Sequence, residues 1–407
     1  MKDRKINAVY GPVIVTDRQE FYDHAVLFRD NVIVDLVHRS KLSDSMDKRR
    51  VPGMYLVPGL VDIHVHGAHG RSFIESSDEA YQCVSNGLLS SGVTTALPTI
   101  SSAPLEQTTR ALGFFAEHFS SSREAQEGDP LPRFPGIHLE GPYFSPEQAG
   151  AQDPTALRMP NDGSLDQLLK YHEDISLMSY APELPGAVEL TKALVVAGIT
   201  PAAGHSNGTT FDLNNCIEAG LSHIIHIFSG QSSIIRQGPW RIPGILESTL
   251  ASDSLTVEMI ADGKHLPKEL MAIAHKALGQ RLCIVSDASA GAGLPEDSVF
   301  AVGNTTRIVR NGVGMTMDRK SFAGSTTLLG SMLSIARDFL DARVPDLVAM
   351  VTEVPAYAAK IPHVGRIAPG HFADFCVLSE DLTVRAVAKG GIWIDSLKDK
   401  GGTSQFL

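Results

Sequence analysis

Several short apolar runs of this sequence end in residues that can bind a metal ion or move a proton. These residues are His64, His66, Glu140, His205, His226 and Asp287. Imidazole nitrogens and carboxylate oxygens together are the ligands that divalent transition metals prefer in proteins. We therefore expect a site for one or two divalent ions, with Zn²⁺ as the first candidate and Fe²⁺ or Mn²⁺ as alternatives.

The spacing of His64 and His66 in the run VDIHVHG favours ligation. On a β-strand, residues two apart turn to the same face, which a shared metal ion requires. A single histidine in an apolar strand is more often a buried core residue, but the pattern recurs at the ends of later runs.

The carboxylates of Glu140 and Asp287 each allow a functional and a structural interpretation. Glu140 precedes a Gly-Pro pair, where a strand breaks into a loop that presents its carboxylate, although a capping or salt-bridging role is the alternative. Asp287 ends the last apolar run and is a candidate general base beside a water activated by the metal, with helix capping as the alternative.

The run LSHIIHIFSG holds two histidines three positions apart, His223 and His226. As a strand, the run turns the two rings to opposite faces. We therefore predict that His226 is a metal ligand and that His223 packs outward beneath the helices.

The apolar runs alternate with helical patterns along the middle of the chain. The predicted strands are VDIHVHG, GVTTALPT, FPGIHLEG, ISLMSYAPE, GITPAAGHS, HIIHIFSG, LTVEMIADG and RLCIVSDA, and the clearest helices are AYQCVSNGLLSS, LEQTTRALGFFAEHF, AVELTKALVVAG, FDLNNCIEAG and LPKELMAIAHKAL. This alternation predicts an α/β fold, a (β/α)8 TIM barrel, whose functional residues lie at the carboxyl ends of the strands. An open doubly wound sheet is the alternative, but no GxGxxG follows the first strand.

Both ends of the chain are rich in short β-type runs. We expect residues 1–57 and 361–407 to form one small β-sandwich domain, and residues 58–360 to form the barrel. The first residues read as a strand and not as a signal peptide, because the apolar run is broken by Gly11-Pro12 and lacks a cleavage site.

The amino-acid composition argues against several classes of binding partner and of protein. The 407 residues carry a formal net charge of −11, which argues against nucleic-acid binding. No run approaches the ~20 apolar residues of a membrane span. The four cysteines lie far apart with no CxxC pair, which fits a reducing cytoplasm and disfavours a disulfide framework.

Longer motifs resemble a known enzyme family. The segment PGLVDIHVHG (58–67) is similar to the opening signature of the amidohydrolase superfamily. Within that superfamily the chain resembles the N-acetylglucosamine-6-phosphate deacetylases at HLEGPYFSPEQAGAQDP (138–154), YAPELPG (180–186), AGHSNGT (203–209), IADGKH (260–265), VSDASAGAG (285–293), FAGSTTLLGSM (322–332) and GRIAPGHFADFCVL (365–378). The resemblance covers most of the chain.

The resemblance implies a role for each matching position. Glu140, His205 and His226 match the ligands of the principal metal site, whereas His64 and His66 match a second site that some members fill. Asp287 matches the catalytic aspartate, which takes a proton from the attacking water and passes it to the departing amine. His265 and Gln152 match positions near the substrate. Arg241 matches an arginine that contacts phosphate from the neighbouring subunit, which implies a homodimer; a solvated loop charge is the alternative.

One departure from the family concerns the substrate. Family members usually follow the histidine of strand six with an Asn-Ala-Met loop that holds the sugar phosphate, but here His226 is followed, after two residues, by Ser229, Gly230 and Gln231. We therefore expect Ser229 and Gly230 to contact the substrate in another way. The expected reaction is deacetylation of N-acetylglucosamine 6-phosphate or of a close relative such as N-acetylgalactosamine 6-phosphate.

Two other functions compete with this one. An amidohydrolase of the dihydroorotase or hydantoinase kind would bridge two metals with a carboxylated lysine from strand four, and ISLMSYAPE contains no lysine. A non-catalytic sugar-binding barrel would be expected to lack a metal ligand or Asp287, and all are present.

Overall fold

Eight parallel strands form a nearly closed barrel in the computed structural model, which describes residues 5–119 and 131–394. We number them in chain order: β1 (Leu60–Val65), β2 (Val93–Ser101), β3 (Ile137–Glu140), β4 (Ile175–Tyr180), β5 (Thr200–Ala203), β6 (His223–Ile224), β7 (Thr256–Ile260) and β8 (Leu282–Val285). Each strand pairs with its neighbours in the chain. All eight correspond to predicted runs, and the predicted (β/α)8 barrel is confirmed.

A helix follows each barrel strand. The helices are α1 (Asp78–Ser90), α2 (Leu105–Phe119), α3 (Leu165–Leu168), α4 (Ala187–Val196), α5 (Thr210–Ala219), α6 (Ile245–Ala251), α7 (Lys268–Leu278) and α8 (Leu329–Phe339), followed by α9 (Val344–Met350) and α10 (Glu353–Ala358). Helix α1 illustrates how the sequence starts them: Ser77 Oγ accepts a hydrogen bond from Ala80 N at 3.3 Å, and Asp78 and Glu79 lie in the first turn. None of these helices is long and apolar enough to span a membrane.

The barrel closes where β8 returns to β1. Val65, the last residue of β1, forms a parallel bridge with Ala288, just after β8. His64 O accepts a hydrogen bond from Asp287 N at 2.8 Å. Closure of the barrel therefore brings the aspartate that follows the last strand beside the histidine pair that ends the first.

The chain ends meet in a β-sandwich. A four-stranded sheet has the order Val32–His38, His24–Arg29, Asn7–Tyr10 and Asp47–Arg50, and a six-stranded sheet has the order Ile392–Trp393, Val384–Lys389, Phe375–Leu378, Tyr55–Pro58, Val13–Thr16 and Gln19–Phe21. Val26 and Phe28 of the first sheet pack on Leu56 and Phe375 of the second. The predicted sandwich from both termini is confirmed. Its boundaries at 57 and 361 stay predictions, and its predicted outer ends fall in residues 1–4 and 395–407, outside the described residues.

Two insertions at the carboxyl rim of the barrel were not predicted. A hairpin, Ile235–Gln237 with Trp240–Ile242, follows β6. A three-stranded antiparallel sheet follows β8 and consists of Val299–Val302, Thr305–Arg310 and Val313–Thr316. The second insertion forms part of the wall of the cavity described below.

Candidate active site

Glu140 lies at the centre of the cluster of predicted ligands. Its Oε1 is 3.0 Å from His226 Nε2, 3.2 Å from His205 Nε2 and 3.6 Å from His64 Nε2. Its Oε2 is 3.4 Å from His66 Nε2. One buried carboxylate at the end of β3 thus contacts imidazoles carried by β1 and by the loops that follow β5 and β6.

Asp287 faces the same cluster from the opposite side. Its Oδ1 is 3.3 Å from His66 Nε2 and 3.7 Å from His64 Nε2. Both imidazoles of the HxH pair therefore lie on the side of β1 that faces the cluster, as their spacing predicts. Asp287 adopts φ 45°, and its backbone N donates a hydrogen bond to His64 O.

The electrostatics keep both carboxylates ionised. Burial opposes the charge on Glu140, but the imidazoles of His205, His226 and His64 outweigh it and hold the pKa of Glu140 well below its usual value. Burial likewise opposes the charge on Asp287, whose pKa is lowered by His66 and His64. Burial disfavours protonation of His64, yet Glu258 and Glu140 raise the pKa of its imidazole well above the usual value.

Hydrogen bonds behind the cluster orient two of the imidazoles. His205 Nδ1 lies 2.7 Å from Gln148 O, and His64 Nδ1 lies 2.7 Å from Glu258 Oε2. Because Nδ1 faces an acceptor in each case, Nε2 faces the centre of the cluster, where a metal ion that displaces its proton would find the lone pair, the arrangement behind metal-ligating histidines. Glu140 is positioned in the same way, since Gln152 Nε2 donates to its Oε2 at 2.6 Å.

These residues fit a divalent metal ion. Ligand atoms of His64, Glu140 and His226 lie within 4.8 Å of one another, and so do those of His64, His66 and Asp287. His64 Nε2 is buried without a hydrogen-bond partner among the described residues. A buried imidazole nitrogen that lacks a partner is costly, so its position beside two carboxylates is explained by a cation at this point. His205 contacts the same Glu140 oxygen and completes a mixed imidazole and carboxylate set.

The prediction for His223 is wrong. Its ring is buried inside the barrel, where Nε2 is 3.1 Å from Glu258 Oε1 and Nδ1 is 2.7 Å from Thr256 Oγ1. Strand β6 ends at Ile224, and His226 adopts φ 22°. The alternation of a strand therefore does not extend to His226, and both histidines point inward.

Sequence reasoning missed Glu258, which is fully buried on β7. Its carboxylate contacts His64, His223 and the backbone N of His226, so it links three segments beneath the cluster. The signal was an acidic residue in the middle of the apolar run LTVEMI (255–260). His138 lies in the same interior, with its ring centroid 4.5 Å from that of His64.

A cavity of about 310 Å³ opens above the cluster. Four of the residues predicted to bind substrate line it: Gln152, Ser229, Gly230 and His265. Asp262 Oδ2 holds His265 Nδ1 at 2.8 Å, and the Phe322 ring packs at 4.8 Å from the His265 ring. The imidazole of His265 is thus fixed in one orientation at the cavity wall.

Gly230 is required by packing as well as by backbone conformation. It adopts φ 58°, and a Cβ at this position would lie 2.6 Å from His205 Nδ1 and 3.1 Å from Gln148 O. The loop after His226 therefore passes directly behind the hydrogen bond that orients His205. Glycine permits this approach because it has no side chain.

Arg241 does not reach the cavity of its own chain. It lies on the exposed hairpin after β6, where its Nη1 donates to Pro239 O at 3.1 Å. The same hairpin exposes Trp240 and Ile235, which are 72% and 61% exposed.

Known proteins resemble this chain over most of its length. The amidohydrolase family matches residues 55–394. An N-acetylglucosamine-6-phosphate deacetylase of Vibrio furnissii is 29% identical over 345 residues, 84% of this chain and 83% of that protein. An N-acetylgalactosamine-6-phosphate deacetylase of Escherichia coli O157:H7 is 26% identical over 387 residues, 92% of this chain and 95% of that protein. The crystal structure of N-acetylglucosamine-6-phosphate deacetylase from Pasteurella multocida superposes with a TM-score of 0.87 at 26% identity, covering 96% of this chain and 99% of that chain. Because the family match spans the barrel and every residue of the clustered site, this chain belongs to the amidohydrolase family.

Proposed function

We propose that this protein removes the acetyl group of an N-acetylated amino-sugar phosphate by metal-dependent hydrolysis. The observation that carries the proposal is the contact of Glu140 with His205 and His226, opposite an ionised Asp287, at the floor of an open cavity. The family is metal-dependent, and the activities of the relatives described above support the same substrate class.

Glu140, His205 and His226 would hold one divalent ion, and His64 with His66 would hold a second. When bound, the ion would supply Lewis-acid polarisation of the acetamide carbonyl and a lowered pKa for the attacking water. Zn²⁺ is the first candidate because imidazole and carboxylate ligands suit it, with Fe²⁺ and Mn²⁺ next.

The protein's own residues move the proton and hold the substrate. Asp287 would accept the proton of the attacking water through its ionised carboxylate and then donate it to the leaving amine. His265, fixed by Asp262 through Nδ1, would accept a hydrogen bond from a sugar hydroxyl at its Nε2. Gln152 would keep Glu140 in place during the reaction, since it donates to the oxygen that faces His66.

Ser229 and Gly230 bear on whether the substrate is the gluco or the galacto sugar. They line the cavity, in the loop that by resemblance to the family would hold the sugar phosphate. Relatives with either activity match this chain, so we propose N-acetylglucosamine 6-phosphate first and the galacto epimer second.

We also propose a cytoplasmic homodimer in which Arg241 contacts the phosphate bound by the neighbouring subunit. The apolar hairpin around Arg241 is exposed in the single chain, which supports an interface there. The cysteines of the described residues are free thiols, which fits a reducing compartment. Light scattering that gave the mass of a single chain would contradict the dimer.

The substrate assignment is tested by elemental analysis of the purified protein and an acetate-release assay. The substrates are both N-acetylhexosamine 6-phosphates and the corresponding unphosphorylated sugars, with chelated protein as the control. We expect acetate release from at least one phosphorylated sugar, loss of activity on chelation, and recovery on adding a divalent metal. If the metal-loaded protein released acetate from neither phosphorylated sugar, the assignment would be refuted.

A further inference from the structure

The sheet inserted after β8 places an arginine in the cavity wall. In the strand Thr305–Arg310, residues two apart share a face, and Val309 packs in a small apolar core with Phe300. Arg307 therefore turns inward with Val309, and it is 8% exposed. Its side chain lines the same cavity as Glu140 and Asp287.

The guanidinium of Arg307 has more N–H donors than its hydrogen bonds to the described residues use. Nη1 donates to Thr306 O at 3.2 Å, and Nη2 donates to Ala151 O. An arginine carries five N–H donors, so these two bonds leave three. Within residues 5–119 and 131–394, Arg307 forms no ion pair with a carboxylate. Burial lowers the pKa of the guanidinium and the charge of Asp153 opposes this, but an arginine remains protonated in either case.

A buried cation that forms no ion pair is costly, which points to a ligand that supplies the negative charge. Among the cavity-lining residues in the described part of the chain, Arg307 is the only lysine or arginine. The other strongly charged side chains there are the carboxylates of Glu140, Asp153 and Asp287. A dianionic substrate that enters this cavity therefore meets one permanent positive charge from its own subunit.

We propose that Arg307 binds the phosphate group of the substrate from within the same chain and so determines the preference for a phosphorylated sugar. This inference rests on the proposed function and extends it to a residue outside the family motifs. The planar guanidinium matches phosphate oxygens in a two-pronged contact. Arg307 would thus contact the phosphate in a chain whose loop after His226 has Ser229 and Gly230 where family members have an asparagine.

A purely structural role for Arg307 has a different signature. Arg307 donates a hydrogen bond to the carbonyl oxygen of Ala151. The next residue in the chain, Gln152, donates to Glu140. If Arg307 only held that loop, its loss would disturb Glu140 and lower turnover of every substrate alike. Phosphate binding instead changes the affinity for phosphorylated ligands relative to unphosphorylated ones.

The experiment compares the metal-loaded protein with Arg307→Met and Arg307→Lys, and with Arg310→Met as the matched control on the same strand. Arg310 pairs with Asp297 and does not line the cavity. Calorimetry gives the Kd of glucosamine 6-phosphate and of glucosamine for each protein. Kinetics give KM and kcat for the better N-acetylhexosamine 6-phosphate and its unphosphorylated form.

For Arg307→Met we expect the preference for the phosphorylated ligand, measured as a ratio of Kd or KM values, to fall about 10- to 100-fold, because a charge-assisted hydrogen-bond pair is lost. Arg307→Lys should lose less, since it keeps the charge but not the fork, and it carries the test if the Met variant fails to fold. The Arg310→Met variant should retain the ratio.

Three results would overturn the inference. They are an Arg307→Met variant with unchanged affinities, an Arg307→Met variant that weakens phosphorylated and unphosphorylated ligands by the same factor and so keeps their ratio, and a starting protein that binds glucosamine 6-phosphate no better than glucosamine. Failure of the proposed function is seen separately, as absence of acetate release from the unsubstituted protein, and the calorimetric comparison still decides the role of Arg307.

Discussion

Replacement of Glu258 by glutamine tests whether the buried network beneath the cluster prepares His64 for a metal. The Glu258 carboxylate accepts from three groups: His64 Nδ1 at 2.7 Å, His223 Nε2 at 3.1 Å and His226 N at 3.2 Å. Glutamine has nearly the same shape but offers one acceptor oxygen in place of two, and its NH₂ group is itself a donor. At least one of the three donors therefore loses its partner.

The expected magnitude follows from this count. A buried donor left without an acceptor costs about 1–3 kcal/mol, which corresponds to a factor of roughly 5 to 150 in an equilibrium constant. Substitution of residues that orient metal-ligating histidines weakens metal binding or activity by about 10- to 100-fold. We expect a loss of metal affinity in this range for Glu258→Gln, because His64 Nε2 is no longer held toward Glu140 and Asp287.

The assay is metal content by elemental analysis after dialysis against graded concentrations of a chelator. The shift in melting temperature between metal-loaded and chelated protein gives a second readout. Glu218→Gln, on the exposed face of α5, makes the same chemical change away from the site and should behave like the unsubstituted protein. The reasoning is refuted if Glu258→Gln retains its metal at the same chelator concentration as Glu218→Gln.

Three further substitutions test other parts of the structure. Asp287→Asn should keep the metal and lose about two to four decades of turnover, since it removes the general base, and near-normal kcat would exclude that role. Gly230→Ala should destabilise by about 1–3 kcal/mol and lower activity, because a Cβ meets His205 Nδ1 at 2.6 Å. Gly238 has the same φ of 58° but open space around it, so Gly238→Ala is the control that carries backbone strain without a close contact. Equal melting temperatures and activities of the two alanine variants would contradict the packing argument. Arg133→Met removes a buried ion pair that joins the barrel to the β-sandwich at 3.0 Å and should lower the free energy of unfolding by about 3–5 kcal/mol; a loss below about 1 kcal/mol in denaturant titration would show that the pair contributes little.

Much of the fold follows from patterns that are local in the sequence. Strands buried on both faces read as apolar runs, and their alternation with amphipathic helices specifies the barrel. The carboxyl ends of parallel strands in a closed barrel converge at one rim, so polar residues that end separate runs can be assigned to one site before any distance is known. Glu140, His205 and His226 are among these residues, and they lie in contact.

Other features depend on where the chain departs from regular structure. The direction of the His226 side chain follows from a strand that ends two residues earlier and from an unusual backbone angle, neither of which periodicity reports. The three-stranded sheet that carries Arg307 follows the last barrel strand. Alternation along its strands does not show which of their two faces turns toward the cavity.

The sequence by itself determined the barrel, the β-sandwich from both chain ends and the candidate metal ligands, because hydrophobic periodicity and residue chemistry are properties of short segments. Only the tertiary structure decided that His223 points inward, that Glu258 supports His64, and that Arg307 enters the cavity while Arg241 remains outside it. Each of these depends on side chains from segments far apart in the chain. Their distances and burial exist only after the barrel closes and the inserted strands pack over its rim.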